Sequence, residues 1–309
     1  MFASEAFAIS AAVCFALTSM FLAELRGRVP LFQLTRWQMV ATFIMTGLVS
    51  ILIGGWRTVG PVQFWQLAGS SVAGITIAST TYFATIYAVG PRITALLYSL
   101  TAPFAVLLGY LVYGETISIS QGLGILLVLA GILLAIGIQQ GLGSVDLEEA
   151  QGKTKSPEGL GVEFKWGLWP GLGFGIVTAL GTAVGNLLAR PAMAAGVEPF
   201  TAMGLRSGLA ALIFVILSAT PLGNNSLQPV RAGALVLVVA SAFVGATLGM
   251  SLLMAALHTG NVGIVSTLSS MTPVLILPMV WIRSGRRPGL AAWLGAILAI
   301  AGTALISLR

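Results

Sequence analysis

Apolar runs follow one another along the chain with little between them. They fall near residues 6–25, 33–54, 64–89, 93–113, 120–139, 166–189, 199–219, 232–257, 261–282 and 289–307. Each is close to the 20 or so apolar residues that cross a hydrocarbon layer about 30 Å thick. The breaks are short clusters of Gly, Pro, Asn and Arg, such as "RGRVP", "GGWRTVGP", "PLGNNSLQP" and "RSGRRPG", which end helices. Only residues 140–165 form a longer hydrophilic stretch, and "DLEEAQGKTKSPEGLGVEFK" reads there as a flexible linker. The pattern predicts an all-α integral membrane protein of ten transmembrane helices. It divides into a five-helix repeat over 1–139, the linker over 140–165 and a second five-helix repeat over 166–309.

Composition agrees. Of 309 residues, 57% are hydrophobic and 8% charged, with a mean hydropathy of +0.98. A water-soluble domain carries about 25% charged residues, so the solvent of this chain is lipid. Its net charge of +6 comes from Arg and Lys at the ends of apolar runs, where they snorkel toward headgroups. That placement argues against a nucleic-acid partner. The N-terminal run carries Glu5 and no leading basic residue, so it reads as a first span rather than a signal peptide. Cys14 is the only cysteine and His258 the only histidine, which excludes an intrachain disulfide and leaves no ligand set for zinc. No cofactor is expected.

The two halves match. A shift of 170 residues places Arg36 on Arg206, Gly90 on Gly260, Ser99 on Ser269 and Pro103 on Pro273. A shift of 171 places "LGILLVLAG" (123–131) on "LGAILAIAG" (294–302). Because each repeat has an odd number of spans, the second enters the membrane from the opposite side. Inverted repeats of this kind let a transporter alternate between two access states around a central site.

These residues carry a resemblance to the drug/metabolite transporter superfamily, in its ten-helix EamA-like branch. An Arg stands early in the second helix of each repeat, in "LTRWQM" and "GLRSGL", and each repeat has a Ser/Thr-then-Pro element, "YSLTAPF" and "LSSMTPV". The first repeat ends its fourth helix in "YGE", where the second has "RSGRR". The resemblance implies a secondary transporter, not an enzyme, that moves amino acids, metabolites or drugs, often outward.

Of the nine acids, five lie in the linker, and Glu5, Glu24, Glu115 and Glu198 fall at helix ends. No carboxylate is expected in mid-span, so the usual acidic proton relay is missing. The substrate contacts are expected among neutral polar residues: Tyr82, Tyr98, Ser99, Thr101, Asn186, Ser269 and Ser270. Most membrane Ser and Thr bond back to their own helix; grouping beside Pro103 and Pro273 singles out these hydroxyls, and Tyr82, Tyr98 and Asn186 stand out because each brings a polar tip on a sizeable side chain. Each proline frees the carbonyl four residues earlier, and the pair is expected to form gating hinges. Arg36 and Arg206, in the first turns of their helices, read as structural anchors near the interface or as contacts to a substrate anion. "PGLGFGIVTALGTAVGN" spaces glycines four apart, a close-packing pattern.

Counting Lys and Arg in loops gives ten on the face opposite the termini and three on the face of the termini. Positive-inside counting therefore places the termini outside the cytoplasm; the resemblance implies the reverse. The expected partners are a small-molecule substrate and the lipid bilayer of the inner or plasma membrane, with a homodimer left open. A membrane sensor or scaffold that binds without transporting is the alternative.

Overall fold

The computed structural model describes residues 2–114, 118–141, 167–218, 232–250, 252–253, 256, 268, 271–285 and 287–307. The predicted linker beyond Gly141, together with Glu115, His258, Ser269 and Ser270, lies outside the described residues. Among the described residues the regular structure is helical, with ten longer helices and a short 3-10 turn at Gly55–Thr58. The longer helices are α1 (Phe2–Glu24), α2 (Leu31–Ile53), α3 (61–89), α4 (91–113), α5 (Ile119–Gly141), α6 (Leu168–Ala194), α7 (Pro199–Ser218), α8 (232–249), α9 (Thr272–Ser284) and α10 (Leu290–Ser307). Six apolar stretches are long enough to cross a bilayer unaided, one of them running from α3 into α4 as Pro61–Tyr98. α3 and α4 are separated at Gly90, whose φ of +80° is the left-handed region that glycine tolerates.

The distribution of side chains is that of a protein in lipid. Ser19, Gln38, Thr42, Ser50, Ser70, Thr178, Ser207 and Ser241 are buried, while Leu52, Leu111, Leu133, Val236 and Ile282 are exposed. Large apolar groups face outward because hydrocarbon does not expel them, and helices are held by close packing and polar contacts instead.

Contacts fix the direction of the helices. Along α2 and α7, Ser50 meets Thr201, Gly47 lies against Gly204 and Phe43 against Gly208, so the two run antiparallel. Between α5 and α10, a Cβ on Gly124 would lie 2.6 Å from the Gly302 carbonyl oxygen, and one on Gly131 would lie 2.6 Å from that of Gly295. These four glycines are the paired positions of the two LG(x)6G elements, and exchanging the repeats turns one contact into the other. α3 opposes α6 through Ser70–Gly185 and Thr81–Thr178; α1 opposes α8 through Thr18–Gly245 and Phe15–Gly249. α1 runs parallel to α3 (Ser19–Tyr82, Leu25–Tyr87), and α2 parallel to α8 (Gln38–Ser241, Met45–Thr247). Corresponding helices thus point in opposite senses, and the repeats are inverted.

A symmetric feature not visible in the apolar pattern is a π-helical stretch in each repeat. Val72–Ile77 in α3 and Ala242–Gly249 in α8 begin 170 residues apart. Such widened turns are rare and concentrate at functional sites.

Candidate functional site

A cavity of about 480 Å³ lies between the repeats, within the 300–1,000 Å³ usual for small-molecule sites. α2 contributes Thr46 and α3 Leu67; α4 adds Ala105 and Gly109. α6 provides Ala183, Asn186 and Arg190, α7 runs along it from Pro199 to Arg206, and α8 gives Ala246 and Met250. Given the helix directions, every one of these positions falls in the half of its span nearer the face that bears the termini. The cavity therefore belongs to that face.

Toward the opposite face the described residues pack into an apolar plug. Leu22, Leu25 and Val29 at the end of α1 pack with Leu34 of α2, Phe83, Ile86 and Tyr87 of α3, and Ala234 and Val238 of α8, all buried. The Tyr87 hydroxyl reaches the carbonyls of Leu25 (3.1 Å) and Val29 (3.3 Å), tying α3 to the turn after α1. Outside this plug, Glu24 pairs with Arg28 at 2.7 Å and with Arg283 at the end of α9. These ion pairs are half exposed, and such pairs contribute about 0.2–1 kcal/mol, so the apolar plug supplies most of the closure.

Between plug and cavity stands a polar layer. Tyr82 and Tyr98 meet edge to face, their ring centroids 5.8 Å apart. The Tyr82 hydroxyl is 2.7 Å from Ser19 Oγ on α1. Tyr98 lies beside Thr182 on α6, one residue from the cavity wall at Ala183, and its charge neighbour is Arg206. Although it lies deep in the bundle, Tyr98 is 43% exposed, which means that it faces internal space. Arg206 sits beside Gly74: a Cβ there would come within 2.9 Å of Nη2. The Ser71 hydroxyl donates to the Arg206 carbonyl, so the π-helical turn of α3 and the middle of α7 are seated on each other.

The expected site residues are therefore distributed as follows. Asn186 and Arg206 line the cavity, and Tyr82 and Tyr98 adjoin its inner end. Ser99 bonds weakly back to the Ala95 carbonyl at 3.4 Å, while the buried Thr101 hydroxyl has no partner among the described residues. Neither lines the cavity. Arg36 belongs to the closed half and is not part of the wall. Pro103 is the third residue of a helical section, Thr101–Tyr113, that restarts after a turn at residues 99–100. The Ser99 carbonyl is not left free as the sequence suggested, because the Ala102 N–H takes it up at 3.3 Å in a tightened turn. Pro273 likewise falls in the first turn of α9, where a missing N–H costs nothing. Residues that sequence reasoning passed over include Thr46, Thr182, Arg190 and Met203. Arg190 follows Asn186 by one helical turn, a spacing that puts both on one face and that the sequence did display.

Comparison with known proteins places this architecture. The sequence profile of the EamA-like transporter family matches residues 3–137 and again 169–308. No curated protein matches the chain. A protein of known crystal structure, 19% identical, superposes with a TM-score of 0.64 over 98% of this chain and 95% of its own; at that identity the likeness speaks for the fold. On the two family matches, which together span nearly the whole sequence, the chain belongs to the EamA-like transporter family.

Proposed function

We propose that this protein is a secondary transporter that exports a small organic metabolite by alternating access, with the cavity between the repeats as its binding site. The observation that carries the reading is a one-sided cavity: its lining falls in the helix halves nearer the face of the termini, and an apolar plug packs toward the other, between halves of opposite orientation. Inverted repeats can exchange conformations, which would move the opening to the other face while the site stays in place. Pro103 and Pro273, each at the restart of a helical section, supply corresponding hinge positions in the two repeats 1–139 and 166–309. The loop charges favour termini outside the cytoplasm, which makes the present state outward-open in a plasma or inner membrane. No acidic relay lines the path among the described residues, so exchange or facilitated diffusion is the simpler coupling.

The test is counterflow with purified protein in liposomes preloaded with unlabelled amino acids, organic acids or amines. Uptake of the labelled counterpart above empty-liposome controls is expected for some member of the panel. Saturable binding without counterflow would favour a sensor or scaffold instead.

A further inference from the structure

We infer that the substrate is an organic monocarboxylate with an apolar body, and that Arg206 is its counter-ion. The inference rests on the transport reading of the cavity and adds the chemistry of the cargo. The guanidinium lies beside Gly74, which is about 20 Å along α3 from its first residue, and beside Tyr98 at the inner end of the cavity. That is mid-bilayer, where a charge is costly and is kept for function. Two features mark the group as waiting for a ligand. Its Nε has no hydrogen-bond partner among the described residues. No carboxylate among them pairs with it: Glu24 is engaged by Arg28 and Arg283, and Glu198 accepts from the N–H groups of Phe200 and Thr201.

The wall sets the rest of the molecule. Arg190 lies nearer the mouth, and no acid among the described residues lines the cavity, so an ammonium group would find no counter-charge among them. Apart from Thr46 and Asn186, the rest of the wall is apolar, including Ala105, Ala183, Met203, Ala246 and Met250. A planar fork that satisfies one carboxylate through two N–H bonds, above an apolar slot, suits an amphiphilic acid better than a zwitterionic amino acid or a polyphosphate.

The experiment compares matched probes on the purified full chain: 3-phenylpropanoate, 3-phenylpropanamide, 3-phenylpropylamine and phenylalanine, and the same series built on a four-carbon aliphatic body. Binding is read as thermal stabilisation and transport as counterflow in liposomes. The carboxylates should bind best. Arg206→Met should weaken them by about 10- to 100-fold, the loss of a charge-assisted pair, and Arg206→Lys by less. Arg57→Gln, on an exposed 3-10 turn, should change nothing. Preference for the amines or amides, equal binding by Arg206→Met, or failure of every carboxylate to bind folded protein would overturn the inference. Arg206-dependent carboxylate binding without counterflow would leave it standing and remove the transport reading. Counterflow of amines unaffected by Arg206→Met would do the opposite.

Discussion

Arg206 and Gly74 show how one residue's place is decided by another helix. Counting from Pro199 alone, Arg206 is about 10 Å into α7, which reads as a residue near the interface. The structure instead brings its head against the middle of α3, because position 74 has no side chain and α6 crosses there at Gly185. No periodicity within α7 could reveal that. A direct consequence follows for Gly74→Val. The added carbons would collide with both the guanidinium and the Gly185 backbone, and overpacking of this sort costs about 1–3 kcal/mol. Thermal unfolding should register that loss together with weakened ligand binding, and a neutral result would mean that α3 and α6 can separate freely. The hydroxyl-rich run after Gly74 was only partly legible. Thr80 and Thr85 spend their hydroxyls on carbonyls one turn back, as membrane threonines commonly do. Tyr82, whose tip extends beyond its own helix, bridges to Ser19 of α1, and Tyr98 lies beside Thr182 of α6.

Where the chain is described, helices were read from the sequence with little error, because lipid imposes a length and Gly, Pro and Arg punctuate the ends; most of 251–270 lies outside those residues. Their internal irregularities were less accessible. The π-helical stretches of α3 and α8 sit in uniformly apolar sequence, where an extra residue per turn leaves no mark on a hydropathy pattern. The prolines were visible, yet their effect differed from expectation: Pro103 follows a tightened turn that recovers the Ser99 carbonyl. The LG(x)6G repeat was the most informative element signal. Its glycines meet reciprocally across α5 and α10 at distances that admit no Cβ. Gly124→Leu or Gly302→Leu should therefore force these helices apart and lower the melting temperature, whereas Gly122→Leu, where nothing lies within 4 Å of the added carbon, should be tolerated. Equal melting temperatures for all three would contradict the close α5–α10 crossing.

At the scale of the molecule, the inverted repeat could be inferred from an odd helix count and a 170-residue shift, and helix directions in the structure agree with it. Which face was open could not be inferred, since Leu22, Phe83 and Ile86 of the plug and Ala183 and Met203 of the cavity are alike in composition. Openness is a matter of packing. The Glu24–Arg283 ion pair ties α1 to α9 on the face of the plug, and its modest strength suits a latch that must release. Glu24→Gln should shift the balance between states about two- to five-fold toward opening on that face.

The most direct test of alternating access is one-sided labelling with a membrane-impermeant thiol reagent, in a Cys14→Ala background. Met203→Cys reports the cavity and Ile86→Cys the plug. Position 203 should be labelled from the face of the termini while position 86 stays protected from both faces. Adding Glu24→Gln should expose position 86 from the linker face and slow labelling at 203. Labelling of both positions from one face, or of position 203 from both faces at equal rates, would describe a continuous pore and contradict the account.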